Sequence, residues 1–504
     1  MDFSDKLNFL MNITQTSNKE LAEGISVDRS LISLLRTGKR GMPRNREHIS
    51  HMAHFFAKRC TADFQCYALS EMLGNPILRS SMPTNVLADY LNKWLTGDPD
   101  VVDHILEGIQ YTTKTTESEN AVHEKADVPV ISGETSFHYG SAGKRDAMRQ
   151  MMHIIRTLEE PCTILLASDD NLEWLFEDYS FTQELQSGII EVLQKGFTLC
   201  QIMPSVNFLN RYVESLRYWL PIYATGQTEV YYYPRLRDNL YCHATFIVPG
   251  QCVHYSTSVG FSTNHITLMS TEPNLVREYT MQYQDYLALC HPALIVHDTP
   301  PEFVPCFQNM FSQTGATIQK VFSLSGNTLP EDYLLQLVGE IGHSEWKCTY
   351  QMYLDEYPHF IEKLKTTPFI DIGELATADD VRSGKIPIAS PFKLYEKHPV
   401  YTPKTYILHL QNILYLMDEY DNYHFIPSPA GTRRDYSLFV NDDGLALLIR
   451  NAPPAFMLEI RRPEMVQACK EHLMRMVENI GQDGIMRMKT RIQIKALIRE
   501  LQNG

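Results

Sequence analysis

Between Phe3 and Ile109 apolar residues recur every three or four positions, the period of amphipathic helices, in six short runs at 3–12, 18–25, 27–36, 45–59, 84–95 and 100–109. Residues 111–133 lose that period and turn polar, which predicts a linker. From Gly133 onward the texture changes. The run 144–158 places Met148, Met151, Met152, Ile155 and Leu158 on one helical face, and a second helix is predicted over 182–196. Short apolar runs at 162–168 and 198–205 have the length of buried strands, and four more strand-like runs follow at 228–234, 242–250, 252–258 and 265–270. The last third adds helices at 405–420, 462–481 and 484–501 and strands at 435–440, 445–450 and 455–460. No repeat of fixed period is visible.

The stretch 17–44, SNKELAEGISVDRSLISLLRTGKRGMPR, is the most informative. Ser17 followed by Glu20 has the spacing of a capping box. Leu21 and Ile25 share a face, and Ala22 is small where a second helix crosses. After a turn at Ser26, Val27, Leu31, Ile32 and Leu35 form the inward stripe of a second helix. That stripe leaves Asp28, Arg29, Ser30 and Ser33 outside at the helix N-terminus, the end that enters a major groove, so these four are the expected base-reading residues. Asn18, Arg36, Lys39, Arg40 and Arg44 are the expected phosphate contacts.

Leu21-Ala22, Val27, Ser30, Ile32-Ser33, Gly38-Lys39-Arg40 and Pro43 together resemble the Cro/CI-type (XRE) helix-turn-helix family over residues 3–60. The resemblance implies a DNA-binding domain that works as a homodimer on double-stranded DNA. Ser26 stands where that family often has glycine, which predicts a positive φ at a non-glycine residue. Arg36 stands where the family often has glutamate.

Composition sharpens the division. The chain has 504 residues, 44% of them apolar and 21% charged, with a net charge of −15. Residues 1–60 hold ten Lys/Arg against six Asp/Glu, and the remaining 35 basic and 54 acidic side chains leave the rest at −19. A basic head on an acidic body directs only the head at a polyanion. No run reaches the roughly 18 apolar residues of a membrane span, so no membrane partner and a cytoplasmic location are expected. The ten cysteines contain no C-x-x-C pair, and reduced buried thiols are expected. Cys242-His243, Cys252, His254, His265 and Cys290-His291 cluster in the strand block, but a Cys-His dipeptide offers one ligand per strand face. No metal or other cofactor is expected.

The body offers no catalytic motif. Gly140, Gly143 and Lys144 lack P-loop spacing, and neither G-x-S-x-G nor H-E-x-x-H occurs. The element pattern over 135–297 resembles a phospholipase D-like domain. The His-x-Lys that such chemistry needs occurs only at His123-Glu124-Lys125, with Val130 in place of the acid, so a degenerate form is implied. Trp219, Tyr231, Tyr233 and Arg235 are the candidate lining of a ligand pocket.

The expected fold is multi-domain: an all-α N-terminal helix-turn-helix domain (1–60), a helical extension (61–110), a linker (111–133) and an α/β mixed-sheet body. The body divides into an α/β domain (134–299) with a candidate sensor role and an α+β C-terminal domain (300–504) for sensing or dimerisation. The expected function is sequence-specific transcriptional regulation without catalysis, as a homodimer responding to a small-molecule or peptide effector. Alternatives are an interaction protein of a defence or mobile-element system, or a phosphodiesterase-like enzyme tethered to DNA.

Overall fold

The computed structural model describes residues 3–40, 43, 46–62, 64–66, 68–69, 84–96, 102, 105, 133–170, 172–203, 218–235, 240–260, 262–297, 300–340, 345–388, 399–428, 432, 435–451, 456–480 and 484–503. The head's longer helices among the described residues are α1 (Phe3–Ile13), α2 (Asn18–Gly24), α3 (Arg29–Arg36), α4 (Arg46–Arg59) and α5 (Thr84–Thr96). Leu7, Leu21, Ile32, Leu35, Met52 and Phe56 share one core with Leu91 and Trp94 of α5. The core of the head therefore runs beyond residue 60, where the sequence pattern placed its end. Lys6 fixes α5 in place: its buried ammonium donates to the Trp94 carbonyl at 2.8 Å, in the last turn of α5, where the helix dipole is negative. Of the run 100–109, Val102 and Ile105 are described, and both are buried in the core of the body.

The body is built on one mixed sheet. Its strands are β1 (Thr135–Tyr139), β2 (Thr163–Ser168), β3 (Thr198–Met203), β4 (Thr228–Tyr232), β5 (Tyr241–Val248), β6 (Cys252–Val259), β7 (Ile266–Ser270), β8 (His291–His297), β9 (Thr317–Lys320), β10 (Phe369–Gly373), β11 (Tyr423–Pro427), β12 (Tyr436–Asn441), β13 (Leu445–Arg450) and β14 (Met457–Ile460). They lie in the order β1-β7-β6-β5-β2-β3-β4-β8-β14-β13-β12-β9-β10-β11. The longer helices among its described residues are α6 (Gly140–Thr157), α7 (Tyr179–Gln194), α8 (Pro273–Leu287), α9 (Pro300–Ser312), α10 (Glu331–Glu340), α11 (Glu345–Leu364), α12 (Pro403–Glu419), α13 (Pro463–Ile480) and α14 (Gly484–Gln502). Among the described residues no helix is long and apolar enough to cross a membrane.

That strand order is a duplication. The strands β1 to β7 and then α8 are repeated, strand for strand, by β8 to β14 and then α13. In each unit three parallel strands (β2-β3-β4, β9-β10-β11) continue through three antiparallel ones (β5-β6-β7, β12-β13-β14). The hairpins match as well: Val248 pairs with Cys252 and Asn441 with Leu445, each across three residues. Because β4 and β8 run antiparallel, the second unit is reversed relative to the first and its faces are exchanged. Helices α6 and α7 accordingly share a core with α13, while α9–α12 cover the opposite face.

The seam between the units lies between α8 and β8, earlier than the division at 299/300 that the pattern suggested, and the sheet crosses it unbroken. The repeat has no fixed period because the loops differ in length, but one trace survives. In Leu268-Met269-Ser270-Thr271-Glu272-Pro273 and Leu458-Glu459-Ile460-Arg461-Arg462-Pro463, each unit runs from a strand into a helix that proline opens.

Central strands are apolar on both faces, as buried strands require, and β12 and β13 are buried almost throughout. Short β9 and β10 gave no clear pattern because they carry buried polar residues, each with a partner. Gln319 donates to Asp371 at 2.8 Å and Tyr423 donates to the same carboxylate at 3.1 Å. Burial outweighs both bonds and raises the Asp371 carboxyl from 3.8 to about 6.

The folded chain therefore holds this proton more tightly than the unfolded chain. The stability linked to it is fully present below pH 3.8 and is lost as pH rises to about 6, by about 3 kcal/mol in all. Asp371→Asn is expected to flatten this fall in urea titrations between about pH 4 and 6 and to leave the variant the more stable at pH 7.

Candidate nucleic-acid interface

Helices α2 and α3 meet through the turn that the spacing predicted. Ser17 caps α2: its hydroxyl accepts from the Glu20 N–H at 3.3 Å, while the Glu20 carboxylate accepts from the Ser17 N–H at 2.8 Å. Ser26 adopts φ +56°, the left-handed value foreseen where glycine is common. The chain then doubles back, with the Val27 N–H donating to the Ala22 carbonyl at 2.9 Å. Buried Leu21, Ala22 and Ile25 pack against Ile32 and Leu35, which fixes the angle of α3. Gly24 lets the Phe55 ring of α4 pack close against α2, because a Cβ there would force that ring to shift.

This packing leaves Arg29, Ser30, Ser33 and Leu34 exposed on α3, followed by Thr37, Lys39 and Arg40. Leu34, outside the expected contact set, is 39% exposed and places an apolar group among the polar ones. Asp28 has a different position from the one expected. It is the N-cap of α3, and its carboxylate accepts from the Ser30 N–H at 2.8 Å, a bond that holds its pKa below the usual range. The carboxylate is thus engaged with the backbone that begins its own helix.

Arg36 and Asn18 also differ. The Arg36 guanidinium donates to Asn8 Oδ1 at 2.8 Å and to Asn18 Oδ1 at 2.7 Å, and Asn8 Nδ2 donates back to the Arg36 carbonyl at 2.9 Å. These bonds tie α1, α2 and the end of α3 together, so the pair expected on phosphates forms an internal clamp. An acid at position 36 could donate nothing to two amide oxygens, which gives arginine a structural reason. Arg44 lies outside the described residues.

In the body, the four candidate pocket residues do not share a cavity. Trp219 is buried on the α6–α7 face, where the space beside it measures about 20 Å³, enough for one water at most. Tyr231 lies across the sheet, donating to Glu229 at 3.1 Å, and Tyr233 packs on Tyr286 of α8. Arg235 is exposed. Nor do Cys252, His254 and His243 converge. His243 pairs with Thr257, on the face of β6 opposite Cys252 and His254. His123-Glu124-Lys125 lies outside the described residues.

A polar cluster in the first unit joins Lys144 and His265, which the sequence pattern singled out only separately, to Asp170 and Ser258, which it did not. Lys144 of α6 is fully buried, in contact with Asp170 just beyond β2 and 4.5 Å from the centroid of the Trp174 ring. Asp170 also accepts from Ser258 at 2.8 Å and lies 3.6 Å from His265. Burial raises the Asp170 carboxyl, but Lys144 and His265 outweigh it and hold the pKa below the usual range. Burial likewise lowers the Lys144 ammonium. His254 is pushed down to about 3 by burial and Lys144, and is neutral. The residues come from four separate segments, 144, 170, 258 and 265, so spacing could not reveal them.

No protein-family model matches the chain, and no curated protein matches it. Solved structures similar to it include NucT from Helicobacter pylori, 13% identical with a TM-score of 0.24, covering 32% of this chain and 98% of that one. TrmBL2, described as an archaeal chromatin protein with a novel mode of DNA binding, is 16% identical with a TM-score of 0.23 and covers 42% and 72%. Polyphosphate kinase from Porphyromonas gingivalis is 10% identical with a TM-score of 0.22 and covers 68% and 47%. At TM-scores this low the likeness decides nothing about the chemistry of this chain.

Removing one partner of the buried pair leaves an uncompensated charge. Asp170→Ala is expected to cost about 3–5 kcal/mol in urea unfolding of the full chain, and adding Lys144→Met is expected to recover most of that loss. A double variant no more stable than the single one would show that the pair does not act as a unit.

Proposed function

We propose that the chain is a sequence-specific DNA-binding transcriptional regulator that reads double-stranded DNA with α3. The observation that carries this reading is the α2–α3 corner. Its left-handed Ser26 and clamped Arg36 hold a short helix with its N-terminal polar residues exposed and a basic segment directly after it. In this reading Arg29, Ser30 and Ser33 meet base edges, and Leu34 suits a thymine methyl. Lys39 and Arg40, with Arg44 beyond them, hold the phosphates and fix the register.

One α3 spans only a few base pairs, so a homodimer reading two half-sites is part of the proposal. The two-unit body is its scaffold and the place for a small-molecule or peptide effector. The −19 charge of the remainder keeps DNA contact on the head.

Binding of the full chain to fragments of its own upstream region, across a salt series, tests the assignment. Arg29→Ala is expected to cost about 1–3 kcal/mol and to relax preference at one base pair. Lys39→Ala is expected to weaken all fragments alike and to reduce the salt slope by about 1. Unchanged sequence preference in Arg29→Ala, or an unchanged slope in Lys39→Ala, would refute the corresponding role.

A further inference from the structure

In the second unit three side chains converge from β8, the helix after it and β14. His297 ends β8, Cys306 lies on α9 and Glu459 lies on β14, and register places His297 opposite Met457, on the same face as Glu459. His297 Nε2 is 3.0 Å from Glu459 Oε2, Cys306 Sγ is 3.3 Å from that nitrogen, and Cys306 Sγ is 3.5 Å from that oxygen. All three potential ligand atoms lie within 4.8 Å of one another. A tetrahedral zinc ion with bonds of about 2.0–2.3 Å separates its ligand atoms by about 3.3–3.6 Å, so adjustments of a few tenths of an ångström would admit one.

We propose that His297, Cys306 and Glu459 form a three-ligand site for a zinc-class divalent cation, with water in the remaining coordination position.

The surrounding groups fit that role. Arg461 donates to Glu459 Oε1 through Nε at 2.8 Å and Nη2 at 2.6 Å, which occupies that oxygen and turns Oε2 into the cluster. Glu302 lies 3.7 Å from His297 Nδ1, on the far side of the ring from the cluster. Without an ion the Nε2–H faces Glu459 Oε2; with an ion on Nε2 the ring proton would sit on Nδ1, beside the Glu302 carboxylate, the support usual for a metal-bound histidine. Charge balances too: thiolate and carboxylate neutralise a divalent ion, and Arg461 offsets Glu302. A cysteine, an imidazole and a carboxylate favour zinc or its cobalt substitute over magnesium or calcium, which take oxygen sets.

The first unit serves as an internal comparison. Aligned by register, His138 occupies the place of His297, but Met269 stands where Glu459 does. The duplicated position therefore lacks the carboxylate, and one ion per chain is expected. Bound there, the ion would join β8, α9 and β14, three elements of the second unit, the last of them far from the other two in sequence.

The test uses chelator-treated full-length protein titrated with cobalt(II) and, separately, with zinc. One equivalent of cobalt per chain is expected, with an intense near-ultraviolet thiolate-to-metal band that zinc abolishes, and zinc is expected to raise the Tm. Cys306→Ala should lose the band and the Tm rise while keeping the wild-type circular dichroism. Arg461→Ala should retain the band with affinity weakened about tenfold. If Cys306→Ala does not fold, His297→Gln gives the same reading through a lost equivalent. No stoichiometric binding by the wild type, or an unaltered band in a folded Cys306→Ala, would overturn the proposal.

Discussion

The body depends on β8 pairing on both sides. Leu294, at its middle, sits opposite Val230 of β4 and Ile460 of β14 and is 1% exposed. In the first unit the corresponding strand, β1, covers β7 and ends the sheet. In the second, β8 covers β14 and also satisfies β4, so the same type of strand closes two open edges instead of one. Without it, each unit would present a row of unpaired backbone groups that invites association. The antiparallel pairing also reverses the second unit, and this places helices of both units in one core.

What was legible in the sequence follows from the range of the interactions. The head rests on local ones: a cap, a turn and a stripe at helical spacing, so Ser26, Ile32 and Leu35 are found where the pattern placed them. Strands such as β12 and β13, apolar along their length, are legible for the same reason. β9 and β10 are not, because Gln319, Lys320 and Asp371 are buried with partners more than 50 residues away. The duplication was invisible because its units share topology and only a short trace of residues.

Sites follow the same rule more strictly. Lys144 and Asp170, or His297, Cys306 and Glu459, meet only after the sheet has formed, so no spacing announces them. Arg36 and Asp28 show the converse. Charge and position made both look like DNA contacts, yet each also has a hydrogen-bond partner inside the head that spacing did not announce. The contact surface proposed above is therefore smaller, centred on the two turns of α3.

That surface is the central claim, and the identity of the DNA atoms it touches tests it most directly. Photo-crosslinking of the full chain on its upstream DNA, with p-benzoylphenylalanine in place of Ser33 on α3 or of Tyr415, which is 53% exposed on α12, separates the head from the body. Position 33 is expected to crosslink to bases within a discrete site and position 415 to give no adduct. Crosslinks from 415 with none from 33 would contradict the account.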